Sequence, residues 1–135
     1  MRTLAACLIA VVLTACGSAA DNDNGNGNGG TVEKFSVSGV ALSGPHCPVV
    51  QSPPDPQCAD RPVANAELVI TNATGDRVDA VRTDADGRFT IALAAGDYTF
   101  TPQPVDGLMG TPSPQSATAG ASPITLSFDY DTGIR

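Results

Sequence analysis

The chain has 135 residues, with 7 basic and 14 acidic side chains and a formal net charge of −7. Its basic residues are scattered and form no cluster, so the sequence argues against nucleic acid as a partner. An acidic surface is also repelled by anionic lipid headgroups, so any membrane attachment requires another anchor.

Residues 1–15 predict a secretory signal peptide, because Arg2 precedes an apolar run that is shorter than the roughly 20 residues of a membrane span. The run ends in LTAC, which resembles the lipobox of bacterial lipoproteins. That resemblance implies cleavage before Cys16, a diacylglycerol in thioether linkage on its sulfur, often a third acyl chain (palmitate or a similar chain) on its new amino group, and attachment to the cell membrane or outer membrane with the domain facing the periplasm or exterior. An ordinary signal peptide with a chance cysteine is the alternative.

Residues 16–32 carry the lipidated cysteine and a Gly/Asn-rich segment without a large apolar side chain, which predicts a flexible tether. Residues 33–135 then form the expected domain. The first predicted strand, EKFSVSGVAL, places Phe35 and Val37 on one face. Its apolar positions change parity after Gly39, which predicts a β-bulge at that glycine.

Two cysteines, Cys47 and Cys58, lie in a proline-rich excursion that follows the first strand. An even pair in an exported domain predicts a disulfide, which stabilises by roughly 3 kcal/mol in the chain-entropy model. The alternative is a zinc site that also uses His46. It lacks an evident fourth ligand, so the disulfide is favoured.

Short alternating segments separated by turn residues continue to the end of the chain, and no helical period of useful length occurs. The pattern predicts an all-β, seven-stranded Greek-key sandwich with a hairpin turn at residues 74–76. After the first strand, the segments that carry the alternation are AELVITN, RVDAVRT, RFTIALA, DYTFTP and PITLSFDY.

The stretch DADG, which begins at Asp84, suggests a calcium loop but fails the EF-hand spacing in both registers. Starting at Asp84 puts Arg88 at position five and Ala95 at position twelve, and aligning Gly87 with position six puts Arg82 first. A turn into the next strand is therefore favoured. The alternative is a weak, loop-type calcium site formed by three aspartates: Asp79, Asp84 and Asp86.

The run from Pro62 to Phe100 resembles the carboxypeptidase regulatory-like domain, a transthyretin-like (prealbumin-like) β-sandwich. The resemblance implies that the motif residues shape turns and fill the core, and that the domain is a non-catalytic binding or accessory module without a cofactor. The insert with the two cysteines departs from the simplest members. The matching positions are Pro62, Ala66, Thr83, Asp84, Gly87, Phe89, Leu93, Gly96 and Tyr98.

A related sandwich family, the collagen-adhesin B-type repeats, forms an isopeptide bond between the first and last strands, assisted by a buried acid. The corresponding residues would be Lys34, Asp129 and Glu67. Strand alternation argues against the bond, because Phe35 and Phe128 facing inward turn their neighbours Lys34 and Asp129 outward.

Catalysis has little support in the sequence. The triplet DTG at residues 131–133 matches an aspartic-protease element, but that chemistry requires two facing carboxylates. His46 is the single histidine, and no nucleophile-elbow motif occurs. We therefore expect a monomeric, lipid-anchored, non-enzymatic module whose acidic face or disulfide loop contacts an envelope protein or a surface ligand. The alternatives are a calcium-stabilised or small-ligand-binding domain and a purely structural spacer.

Overall fold

A computed structural model describes residues 30–135, and within it Thr31–Arg135 form one compact unit. The predicted signal peptide, Cys16 and nearly all of the predicted tether lie outside the described residues. None of the helical segments in residues 30–135 is long or apolar enough to cross a membrane. The strands are β1 (Lys34–Gly44), β2 (Arg61–Pro62), β3 (Glu67–Asn72), β4 (Arg77–Arg82), β5 (Arg88–Ala94), β6 (Gly96–Pro102), β7 (Gln115–Ala119) and β8 (Ile124–Asp131).

The strands form two sheets that pack as a sandwich, which confirms the predicted fold class. In the first sheet β1 pairs with β5 and β2 on one side and with β8, in parallel, on the other. The second sheet has the order β4-β3-β6-β7, so the chain crosses between the sheets four times, as Greek-key sandwiches do.

Eight strands are present in place of the predicted seven. The two strands without a sequence signal are β2 and β7. β2 has only two residues and one of them is Pro62, whereas the inward side chains of β7 are alanines, Ala117 and Ala119. Small inward residues give weak alternation, so a hydrophobicity pattern does not reveal such a strand.

Three phenylalanine rings occupy the centre of the core. The ring centroid of Phe89 lies 6.1 Å from that of Phe100 and 6.2 Å from that of Phe128. Because Phe100 belongs to one sheet and the other two rings to the opposite sheet, these contacts join the two layers. Tyr130 is also buried; its hydroxyl donates to the Gln103 carbonyl at 3.0 Å, and burial raises the pKa of the phenol.

The predicted bulge at Gly39 is wrong. The β1–β5 register runs without interruption from Lys34 to Val40, and Gly39 is buried on the core side of β1. A Cβ atom there would lie 2.5 Å from the Phe89 ring, so the aromatic ring occupies the volume that a side chain at Gly39 would need. The observed register shift lies elsewhere, between Ile70 and Thr71 in the β3–β4 pair.

Replacing Gly39 with alanine should destabilise the domain by about 1–3 kcal/mol, because the new methyl group overpacks the Phe89 ring and the Leu126 carbonyl. Chemical denaturation measures the change as a shift in the unfolding midpoint. The matched control is Gly120→Ala, since a Cβ at Gly120 has no neighbour within 4 Å among the described residues. Equal midpoints for the two variants would contradict the packing argument.

Candidate functional site: the disulfide loop

The connection between β1 and β2, residues 45–60, is the largest insertion in the described sandwich, and we call it the disulfide loop. The predicted bond between Cys47 and Cys58 is present, with an S–S length of 2.01 Å and a Cα–Cα distance of 5.2 Å. The bond closes the loop close to its two ends, so the segment between the cysteines has little freedom to move away from the sandwich.

The second half of the loop forms a short 3₁₀ turn at Pro56–Cys58. A carboxylate oxygen of Asp55 accepts from the Gln57 amide at 2.8 Å, and the Asp55 carbonyl accepts from the Cys58 amide at 3.0 Å. Pro56 has no N–H to satisfy and its φ angle is preset for such a turn. The Asp-Pro sequence therefore places Cys58 where Cys47 can reach it.

The base of the loop is held by hydrogen bonds to the first sheet. The buried Ser43 hydroxyl donates to the Arg61 carbonyl at 3.3 Å, which joins the two ends of the loop. The Thr132 amide donates to the Gly44 carbonyl at 3.1 Å, and the Thr132 hydroxyl donates to the Pro45 carbonyl. The segment after β8 thus supports the loop entrance.

His46 lies close to a serine, but the geometry opposes nucleophilic chemistry. Its Nε2 atom is 3.3 Å from the Ser43 hydroxyl and 2.8 Å from the Ser43 carbonyl. A carbonyl oxygen only accepts hydrogen bonds, so Nε2 carries the proton and cannot remove one from the hydroxyl. Ser43 is also buried, with 6% of its surface exposed, which keeps substrate away from the hydroxyl.

An apolar cleft of about 360 Å³ lies within the disulfide loop. Val49 and Val50 belong to its lining and are 67% and 96% exposed, respectively, so two adjacent aliphatic side chains remain in contact with solvent. Asp55 is the one ionisable side chain in the lining. The residues that surround the cleft are Val49, Val50, Gln51, Pro54, Asp55, Pro56, Cys58 and Ala59.

Thr83, one of the motif positions, is buried and links two segments by hydrogen bonds. Its hydroxyl donates to the Val63 carbonyl at 2.6 Å and accepts from the Ala66 amide at 2.8 Å. The backbone amide of Thr83 also donates to the Ala66 carbonyl at 3.0 Å. One side chain therefore holds the segment after β2 against the end of β4.

Asp84 and Gly87 form the turn between β4 and β5. One carboxylate oxygen of Asp84 accepts from the amides of Asp86 and Arg88, both at 2.9 Å. Gly87 has a φ of +70°, and a Cβ there would lie 2.5 Å from the Ala41 carbonyl. Glycine is therefore required on both conformational and steric grounds. The turn directs Phe89 into the core.

Gly96 and Tyr98 shape the next corner. Gly96 begins β6 after a single connecting residue, with a φ of +154°. The Tyr98 hydroxyl donates to the Ala94 carbonyl at 2.9 Å, across the corner. In these positions the motif residues contact the protein's own backbone.

The three candidate calcium ligands do not converge. Across residues 30–135, no three His, Cys, Asp or Glu side chains lie close enough to share a metal ion. Asp79 lies on β4, whereas Asp84 and Asp86 belong to the turn that follows it. The hydrogen bonds of the Asp84 carboxylate to two backbone amides already use one of its oxygens.

The candidate isopeptide residues are also far apart. Asp129 lies opposite Leu42 in the β1–β8 register, eight residues from Lys34, which corresponds to roughly 26 Å along the strand. Both side chains are exposed. The third candidate, Glu67, forms ion pairs with Arg82 at 2.7 Å and with Arg77 at 3.6 Å.

Comparison with known proteins identifies the family. The family model for the carboxypeptidase regulatory-like domain matches residues 55–123, slightly more than half of the chain. The chain belongs to the carboxypeptidase regulatory-like domain family. The matched region begins within the disulfide loop, so the first part of the loop and all of β1 and β8 lie outside it. No curated protein sequence matches this chain.

Solved structures similar to this carboxypeptidase regulatory-like domain include two pilins. The shaft pilin SpaA of Lactobacillus rhamnosus GG superposes with a TM-score of 0.56 at 14% identity, over 73% of this chain and 51% of the pilin. The minor pilin GBS52 of Streptococcus agalactiae gives 0.55 at 14% identity, over 73% of this chain and 44% of the pilin. The TIE protein of Bacillus anthracis gives 0.51 at 17% identity, over 72% and 17%.

These likenesses concern the fold, and this chain spans about half or less of each of the three structures. The sequence singled out the disulfide loop as a contact surface, but of the residues that line the apolar cleft it named Cys58 alone. A signal was nevertheless present, because two consecutive valines lie between prolines in a segment predicted to be a loop. Aliphatic residues in such a loop are not buried in the core and remain on the surface.

Replacing Thr83 with valine should destabilise this carboxypeptidase regulatory-like domain by about 2–4 kcal/mol. The change preserves shape but leaves the Val63 carbonyl and the Ala66 amide buried without the hydroxyl partner. Urea unfolding monitored by circular dichroism gives the free energy. The exposed Thr90 on β5 provides the control, since Thr90→Val should change stability by less than about 0.5 kcal/mol. A similar loss in both variants would refute the linking role of Thr83.

Proposed function

We propose that this protein is a lipid-anchored component of the cell envelope whose sandwich is a non-catalytic interaction module. In this proposal the acyl chains on Cys16 hold the protein at the membrane, and the disulfide loop contacts an envelope protein or a surface ligand. The observation that supports the proposal is the structure of the disulfide loop, which is held by a disulfide and hydrogen bonds and has exposed aliphatic side chains around a cleft.

The rigidity of the disulfide loop supports its role as the contact surface. Binding by a flexible loop loses conformational entropy, roughly 0.5–1.5 kcal/mol for each side chain that becomes ordered. Here the Cys47–Cys58 bond, five prolines and the Asp55-capped turn restrict the loop before any partner arrives. Exposed Val49 and Val50 can then bury apolar surface at a small additional ordering cost.

A non-catalytic role agrees with the chemistry of the side chains nearest the cleft. The protonated Nε2 of His46 is directed to a backbone carbonyl, and the adjacent Ser43 is buried. The carboxylate of Asp55 accepts a backbone hydrogen bond in the 3₁₀ turn. These three side chains therefore have structural partners, and the cleft is lined mainly by apolar residues.

Cys16→Ser should release the mature protein from the membrane fraction, because the serine hydroxyl is not a substrate for the thioether linkage expected at this cysteine. Fractionation of cells followed by intact-mass measurement detects both the lost attachment and the lost acyl mass. Cys7→Ser is the matched control. Cys7 lies within the predicted signal peptide, so that variant should stay at the membrane. Retention of an acylated Cys16→Ser protein would contradict the proposed anchor.

The contact surface can be tested with a photo-crosslinking amino acid at Val50, the most exposed aliphatic position on the disulfide loop. We expect a discrete adduct in intact cells, and we expect it to disappear when Cys47 and Cys58 are both replaced by serine. Domain folding is checked in the same variant by circular dichroism, since loss of the bond removes roughly 3 kcal/mol of stability.

The same crosslinker at Ser116, an exposed position on β7, is the control. An adduct that forms equally well at Ser116 would show a non-specific surface and contradict a contact specific to the loop. Absence of any adduct at Val50 would favour the alternative of a structural spacer.

A further inference from the structure

The free edges of the sandwich carry polar side chains that occupy unpaired backbone groups. On β5, the Asp84 backbone and carboxylate bind both the carbonyl and the amide of Arg88. On β8, the Gln115 side-chain amide donates to the Ser127 carbonyl. Unpaired edge groups are templates for strand addition by another chain, and natural sheets block them. In the second sheet β4 and β7 are the edge strands, and β4 shows a comparable arrangement.

On β4 this blocking depends on Asp79. Its carboxylate accepts from the amide of the next residue, Ala80, at 2.8 Å. That amide belongs to the free side of the strand. The Thr83 amide donates towards β3, to the Ala66 carbonyl, and N–H groups alternate in direction along a strand, so the Ala80 amide, three residues earlier, faces away from β3. Asp79 therefore covers a donor that an incoming strand would otherwise use.

The position of Asp79 adds a second obstacle. In the β3–β4 register it lies opposite Ile70, a fully buried core residue, so both residues belong to the core side of the sheet. Asp79 is nevertheless exposed. A strand added at this edge would place apolar inward side chains beside the carboxylate and remove water from it, which is unfavourable for an unpaired charge.

The sequence around Asp79 makes the protection necessary. Between its terminal arginines, Arg77 and Arg82, β4 has the apolar residues Val78, Ala80 and Val81, so without the aspartate the centre of the strand favours pairing. Val78 is already 47% exposed. The register shift between Ile70 and Thr71 also distorts this edge, and such irregularities oppose pairing.

We infer that Asp79 keeps β4 from pairing with β4 of a second copy of this chain, and that its function is to exclude edge-to-edge association. This role replaces the calcium ligand that the sequence suggested at the same position. It does not depend on the proposed function of the disulfide loop, because it concerns a different surface.

The test uses the Thr31–Arg135 unit, which has its own core and disulfide. Asp79→Val should convert it to a dimer, with about a twofold increase in molar mass at rising concentration, measured by light scattering after size-exclusion chromatography. Circular dichroism confirms that the variant is folded. Asp79→Thr, which removes the carboxylate with less added apolar surface, serves if the valine variant does not fold.

Two further variants show whether association uses the free edge. Adding Ala80→Pro to Asp79→Val removes the edge donor and should restore the monomer, since proline is tolerated where the N–H faces away from the sheet. Asp97→Val makes the same chemical change on β6, which has neighbours on both sides, and should remain monomeric. A monomeric Asp79→Val protein, association that persists with Ala80→Pro, or equal association of Asp97→Val would each overturn the inference.

Discussion

The contact of the Phe89 ring with Gly39 is the constraint on which the rest of the sandwich depends. The ring reaches the core centre because the glycine leaves its volume empty, and from there it contacts Phe100 of the opposite sheet. The same strand pairing brings the Gly87 carbonyl to the Ala41 amide at 2.7 Å. The Ala41 carbonyl in turn accepts from Val63 at 2.9 Å. The base of the disulfide loop is thereby connected to the core through backbone hydrogen bonds.

The sequence predicted those parts of the fold whose signal is local. Strict alternation in RFTIALA predicted β5, and an even pair of cysteines in an exported domain predicted the disulfide. The error at Gly39 has a different origin, because alternation assumes that each inward position is filled by its own side chain. Here Phe89 of the neighbouring strand fills it. The sequence showed two valines in a proline-rich loop, but the shape of the cleft could not be predicted, since it depends on how the loop folds between its two cysteines.

The aspartates show why residue type alone does not assign chemistry. Asp84 and Asp79 both looked like oxygen ligands in the sequence, yet each accepts hydrogen bonds from nearby backbone amides. A carboxylate close in sequence to free N–H groups is satisfied locally, at a lower entropic cost than convergence with distant ligands. Spacing between acidic residues indicates a metal site only when their carboxylate oxygens are not already hydrogen-bonded to nearby backbone amides.

The loop and the strand edge place opposite requirements on one small domain. A display module gains affinity when apolar side chains are exposed in a rigid frame, as Val49 and Val50 are on the disulfide loop. The same exposure on a strand edge leads to uncontrolled pairing, because backbone groups there accept any extended chain. The disulfide loop avoids this hazard, since its prolines lack the N–H groups that a strand ladder requires. Exposed aliphatic surface is therefore more tolerable where prolines interrupt the backbone donors, whereas β4, whose donors are continuous, requires a charge.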